Sequence, residues 1–218
     1  MTSRKFEAVI FDLDGTLIDS MWVWRQIDKE FLGKRNIVVP ENLDKEIEGK
    51  SFTETAEYFK ERFKFSMSID EIKAEWSQMA WDFYTNRVEL KKGAKQFLEV
   101  LAAQNIKVGI ATSNSRELVE AVLNAHDIMK YFTSIKTSCE VGRGKPFPDI
   151  YLKVAEDLAV QPQDCLVFED IPNGIRAGKN AKMTTCGIRD RQPEEVWEEV
   201  KQLADYNIED YNHIIKEV

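Results

Sequence analysis

Histidine and cysteine are scarce in this chain, with two and three residues among 218. His126 and His213 have no local partner in the sequence and lie away from the acidic motifs, which argues against a histidine nucleophile or a histidine metal site. Cys139, Cys165 and Cys186 are odd in number and widely spaced, so neither a disulfide framework nor a zinc pattern is present. Cys165 and Cys186 fall inside apolar runs and are expected as buried thiols. Positive charge is also short: 30 Lys and Arg against 38 Asp and Glu give a net charge of -8. Without a basic face, nucleic acid is excluded as a partner. A small anionic substrate is still allowed if local cations and a metal meet it. No apolar run is long enough to cross a bilayer. Residues 1–5 lead straight into a short strand-like run without a leader core, so a cytoplasmic location is expected. There is no internal repeat and no low-complexity tract.

What is present is a globular mixture, 43% hydrophobic and 31% charged. It suffices for one domain, or one domain with an insert, and is too apolar for a disordered acidic tail. Residues 6–11 predict a buried strand of β-branched and aromatic residues ending at Asp12. From about 21 to 85 the period turns helical: Trp24, Ile27 and Phe31; Phe52, Ala56, Phe59 and Phe63; Ile72, Trp76, Met79 and Phe83. Ser51 with Glu54, and Ser68 with Glu71, form capping-box pairs at two helix starts. Beyond Gly93, strands are expected at 107–111, 132–135, 165–168 and, last, 184–187. Helices carrying Phe97, Leu118, Tyr151, Pro172 and Val196 alternate with them, Val196 lying in the C-terminal one.

Strands alternating with helices predict an α/β fold with a mainly parallel sheet covered on both faces. Ligands gather beyond the carboxyl ends of such strands, and Asp12, Thr112 and Asp170 each follow one. Asp12 is an ionised candidate nucleophile, and its approach to a phosphate dianion requires a divalent cation between them. Asp14 lies two residues on, on the same side of an extended chain, as a candidate acid and then base. Gly15 permits a tight turn, Thr16 is expected to hydrogen-bond Asp14 or the backbone, and Asp19 and Ser20 are expected to cap the following helix. Thr112, Ser113 and Asn114 place a hydroxyl and free helix amides where a phosphate can rest. An ordinary N-cap is the plain alternative for Thr112. Lys145, between Gly144 and Pro146, is a candidate point charge against Asp12 and the phosphoryl oxygens. Glu169 and Asp170 supply hard oxygen ligands with no histidine nearby, a donor set that suits magnesium, Asp170 directly and Glu169 through water. Trp24, Trp76 and Trp81 are expected in the core, with a substrate pocket under the helical segment as the alternative.

Taken together, these segments resemble the haloacid dehalogenase-like superfamily, in its beta-phosphoglucomutase and phosphoglycolate phosphatase group. Asp12-Leu-Asp14-Gly15-Thr16 matches the first motif, Thr112 the second, Lys145 the third, and Glu169-Asp170 the fourth. The resemblance implies a Rossmann-like core at 1–20 and 86–218, with an inserted all-helical cap at 21–85. It also implies an aspartyl-phosphate intermediate on Asp12 and Mg2+ held by Asp12, the backbone carbonyl of Asp14, and Asp170. The expected activity is hydrolysis of a small phosphorylated metabolite. The alternative is a sugar phosphomutase. Such mutases carry a histidine ten residues beyond the second aspartate, where this chain has Trp24, and a cap arginine, where it has Lys50. Lys50 can still hold a phosphate, as a point charge without a bidentate fork, and the missing histidine favours hydrolysis. Asp14 and Asp170 argue against carbon–halogen displacement, and the intact acids argue against a non-catalytic binding module. The sequence leaves substrate and oligomeric state open; a monomer is compatible with it.

Overall fold

The computed structural model describes residues 6–215; the opening segment 1–5, read above as lacking a leader core, lies outside them. The chain begins with β1 (Ala8–Phe11) and β2 (Ile18–Asp19). Helices α1 (Met21–Gly33), α2 (Leu43–Ile47), α3 (Phe52–Phe63) and α4 (Ile69–Asn86) follow before β3 (Glu89–Leu90). Next come α5 (Ala94–Ala103), β4 (Lys107–Thr112), α6 (Arg116–Ala125), β5 (Ser134–Thr137), α7 (Ser138–Val141) and α8 (Asp149–Leu158). The last elements are β6 (Cys165–Glu169), α9 (Pro172–Asn180), β7 (Thr184–Ile188), α10 (Glu194–Leu203), β8 (Tyr206–Ile208) and α11 (Asn212–Ile215).

Six strands form one parallel sheet in the order β5-β4-β1-β6-β7-β8. The expected α/β fold is therefore present. β1 is buried along its whole length because it lies between β4 and β6 under helices. A strand covered on both faces has no polar side to show, which is why it reads as an unbroken apolar run. Its register fixes the site: Phe11 pairs with Ile110 on one side and Phe168 on the other. Asp12, Thr112 and Asp170 therefore emerge at the same edge of the sheet. Beneath that edge Phe11 stacks on Phe168 at 5.2 Å, and Phe97 stacks on Tyr211 at 5.5 Å.

α1–α4 occupy the chain between β2 and β3, and those two short strands pair antiparallel where the chain leaves and re-enters the sheet region. Both expected capping boxes form: the Ser51 and Ser68 hydroxyls accept from the Glu54 and Glu71 amides, and each glutamate accepts from its serine's amide at 2.7 Å. Phe31, Phe59 and Trp76 pack edge-to-face among these helices. The apolar cluster runs without a break from Val9 and Phe11 to these rings.

Several expectations need correcting. The strand expected at 132–135 lies two residues later, at Ser134–Thr137, because Met129–Tyr131 closes a 3-10 turn first. Thr184–Ile188 is not the last strand, nor Glu194–Leu203 the last helix, since β8 and α11 follow. A three-residue edge strand pairs on one side only and is too short to show alternation. The β2–β3 ribbon was missed for the same reason. Trp81 is 51% exposed and belongs to neither core nor cavity. His126 and His213 do find partners, the Val88 carbonyl at 2.8 Å and Asp210 at 3.8 Å, but neither lines the cavity described below.

Candidate active site

β1 and β6 deliver Asp12, Glu169 and Asp170 to one point, where each offers a carboxylate oxygen within 4.8 Å of the others. All three are buried. Lys145 is 5% exposed, and its ammonium donates to Asp12 Oδ1 at 2.5 Å and to Glu169 Oε1. Tyr151 on α8 donates to the same Glu169 oxygen at 2.7 Å, and the Asp170 amide donates to the other at 3.1 Å. Glu169 is thus largely occupied by protein donors, while Asp170 accepts from Thr16 at 2.9 Å. Thr16 serves Asp170 rather than Asp14, because the turn at Gly15, with φ of +79°, carries it across to β6.

Burial pushes the Asp12 carboxyl up to about 8 against the opposing pull of Lys145, with Glu169 adding to the rise. Asp170 is held well above the usual carboxylate range by burial first, then by Glu169 and Asp12. Burial alone would lower the Lys145 ammonium, but Asp12 and Glu169 outweigh it and raise it. One lysine does not balance three buried acids, and uncompensated buried charge is costly. The all-oxygen donors and the charge deficit fit a hard divalent cation.

Two glycines permit this crowding. A Cβ on Gly15 would overlap the Asp170 carboxylate, and one on Gly174, in the first turn of α9, would overlap the Glu169 carboxyl group. Gly174→Ala is expected to lower stability by about 2 kcal/mol, since the buried glutamate has nowhere to retreat. Thermal unfolding checks this; an unchanged midpoint would show that Glu169 can swing aside.

Asp14 follows another path. Its carboxylate is outside the three-acid cluster and is fixed by donors from four elements or turns. Ser20 Oγ donates to Oδ1 at 2.6 Å, Asn114 Nδ2 donates to Oδ2 at 2.8 Å, the Tyr84 hydroxyl donates to Oδ1, and Trp24 Nε1 approaches Oδ1 at 3.4 Å. Ser20 therefore sits at the N-cap of α1 without capping it, and Asp19 instead pairs with Arg191 at 2.7 Å. Tyr84 was not anticipated. It sits one residue past the Phe83 stripe, and only the packing of α4 on α6 brings it to the site.

Thr112, Ser113 and Asn114 line the cavity above the cluster. The α6 cap is Ser115, whose hydroxyl accepts from the Leu118 amide, so the Thr112 hydroxyl is spared that task and accepts from the Asn114 amide at 3.1 Å. Lys50 lines the same cavity, next to Gly49, whose positive φ of 77° turns the chain against Lys145. The cavity is about 330 Å³, at the small end for metabolite sites. It is roofed by α1, by the loop around Gly49, and by Phe52 and Trp76.

The sequence profile of the haloacid dehalogenase-like hydrolase family matches residues 9–188. The Phosphorylated carbohydrates phosphatase of Thermotoga maritima is 31% identical over 176 residues, which make up 80% of this chain and 81% of that one. The Bifunctional riboflavin kinase/FMN phosphatase of Arabidopsis thaliana is 33% identical over 175 residues, 80% of this chain, but the match spans only 46% of that longer protein. Among solved structures, the beta-Phosphoglucomutase of Clostridium difficile superposes with a TM-score of 0.80 at 26% identity, covering 97% of this chain and 96% of its own.

Proposed function

This chain belongs to the haloacid dehalogenase-like hydrolase family, and from that footing we propose that it is a magnesium-dependent phosphomonoester hydrolase acting through an aspartyl phosphate on a small phosphorylated metabolite. The observation that carries the reading is the convergence of Asp12, Glu169, Asp170 and Lys145 at one sheet edge beneath a cavity. Relatives named as phosphatases point to the same class of reaction.

Asp12 and Asp170 would hold Mg2+, with Asp14 contributing its backbone carbonyl and Glu169 reaching it less directly. The ion would offset the charge between carboxylate and phosphate. Lys145, already on Asp12 Oδ1, adds a second positive charge and orients the nucleophile. The other Asp12 oxygen attacks phosphorus as the bond to the leaving oxygen breaks. Asp14, steadied by Ser20, Tyr84 and Asn114, gives that oxygen a proton. It then takes one from the water that attacks the aspartyl phosphate and frees Asp12. Thr112 with the Ser113 and Asn114 segment receives the phosphoryl oxygens. Residues 21–85 act as a cap over the core at 1–20 and 86–218, excluding bulk water, with the β2–β3 ribbon at its base.

Trp24 supports hydrolysis over mutase chemistry. Its indole N–H donates to the Tyr84 hydroxyl at 2.8 Å and faces Asp14. An indole donates but cannot exchange a proton with a sugar hydroxyl as an imidazole can. No described helix is long and apolar enough to cross a membrane, and we place the enzyme in the cytoplasm without a nucleic-acid or membrane partner. A panel of phosphomonoesters with and without Mg2+ tests the proposal. Phosphate release is expected with Mg2+, background release in chelator, and recovery on adding Mg2+. Equal release in chelator and in Mg2+ would overturn the metal's role, and isomer interconversion dependent on a bisphosphate would overturn hydrolysis.

A further inference from the structure

The cavity contains a carboxylate that the chemistry above does not use. Asp28 lies on α1, where Met21, Trp24, Arg25 and Asp28 present one helix face to the cavity. Its side chain is buried, with the residue 9% exposed. Among the described residues it has neither a hydrogen bond nor an ion pair, while Arg25 pairs with Asp44 instead. Burial, with the nearby Asp44 carboxylate adding to it, pushes the Asp28 carboxyl up to about 7, and no cation among the described residues offsets this. Such a group is costly to keep unless something that enters the cavity satisfies it.

Its position sets what that is. Trp24, one turn earlier on the same face, touches Asp14. Asp28 is therefore about 6 Å further along the helix from the reacting end. A phosphoryl group at Asp12 would bring the leaving group, and not the phosphate, against Asp28. A carboxylate repels phosphate and accepts hydrogen bonds.

We propose that Asp28 is a specificity-determining residue that accepts a hydrogen bond from a hydroxyl or ammonium group on the leaving group, several bonds from the ester oxygen. This rests on the phosphomonoester hydrolase reading, and it narrows the substrate to a phosphate ester whose far end bears a hydrogen-bond donor. Purely apolar esters leave Asp28 buried and unpaired, which a polar site rejects more strongly than a missing methylene.

Three esters of matched length separate the cases: sorbitol 6-phosphate, 6-aminohexyl phosphate and hexyl phosphate. At least one donor-bearing ester should exceed hexyl phosphate by ~10-fold or more in kcat/KM. Asp28→Leu should remove that preference by lowering the donor-bearing ester and leaving hexyl phosphate equal or better, with a melting temperature no lower than the parent's. Asp28→Asn keeps an acceptor oxygen, so it should preserve a preference for sorbitol 6-phosphate and abolish one for 6-aminohexyl phosphate, which identifies the donor. Binding of the three esters to the Asp12→Asn protein in Mg2+ gives the same ranking without turnover. Absence of turnover with this ranking intact would therefore defeat the hydrolase reading and not the Asp28 assignment. Equal handling of all three esters by the parent in both measurements, or a parallel loss for all three in Asp28→Leu, would overturn the proposal.

Discussion

Asp12→Asn is expected to lower phosphate release by at least ~10²-fold and leave the fold intact. The amide is close in shape to the carboxylate, and its oxygen can still accept from Lys145, which donates to Asp12 Oδ1 at 2.5 Å. It is not a competent nucleophile at phosphorus, so the covalent route closes while binding survives. Stability supplies a second readout. The Asp12 carboxyl is raised from 3.8 to about 8 in the folded protein. The folded state then holds a proton that the unfolded chain has released, so stability falls as pH rises through that window. Below 3.8 the penalty is absent; above about 8 it is full. In cation-free buffer, Asp12→Asn should flatten this part of the pH–stability curve. Steady-state phosphate release with thermal melts across pH 4 to 9 checks both, and near-parental turnover in the variant would reject the covalent route.

Lys145→Met should be the most damaging single change for stability. The ammonium is buried and is bonded to both Asp12 and Glu169. Its removal leaves three buried carboxyls without a protein cation, and breaking a buried ion pair in this way costs about 3–5 kcal/mol. The loss should be greater at high pH, since acids whose folded pKa is raised are destabilising once ionised. Added Mg2+ should recover more stability in the variant than in the parent, because a bound cation replaces part of the missing charge. Turnover should fall ~10²-fold or more even with saturating Mg2+, through loss of charge stabilisation at the phosphoryl oxygens. Chemical denaturation with and without Mg2+ checks the first claim. Equal midpoints for parent and variant in chelator would show that the three acids tolerate one another as neutral groups.

How far the chain could be read differs from element to element. β1 was legible because it is enclosed on both faces and so is apolar throughout. α3 and α4 were legible because their starts carry reciprocal serine–glutamate caps and their apolar stripes are long. β8 and the β2–β3 ribbon escaped, being two or three residues long and paired at edges. Tyr84 and Tyr151 escaped too: Tyr84 falls one residue past the stripe read to Phe83, and the place of Tyr151 on a stripe does not tell whether its hydroxyl meets solvent or a carboxylate. Trp81 was misplaced because its apolar ring says nothing of its helix face: it lies off the buried face of Ile72, Trp76, Ala80 and Tyr84.

Local chemistry alone determined the strand that ends at Asp12, the glycine turn after it, the helical period of 21–85, and the four segments that carry acids, hydroxyl and ammonium. These follow from nearest neighbours in the chain, whose backbone preferences and apolar spacing act over a few residues. Only the tertiary structure decided that Thr16 serves Asp170, that Ser20 and Tyr84 hold Asp14, that Gly174 makes room for Glu169, and that Asp28 meets the cavity without a partner among the described residues. Each of these depends on which side chains from distant segments come together once water has been excluded, and a hydrogen bond across 154 positions leaves no mark on the spacing of residues along the chain.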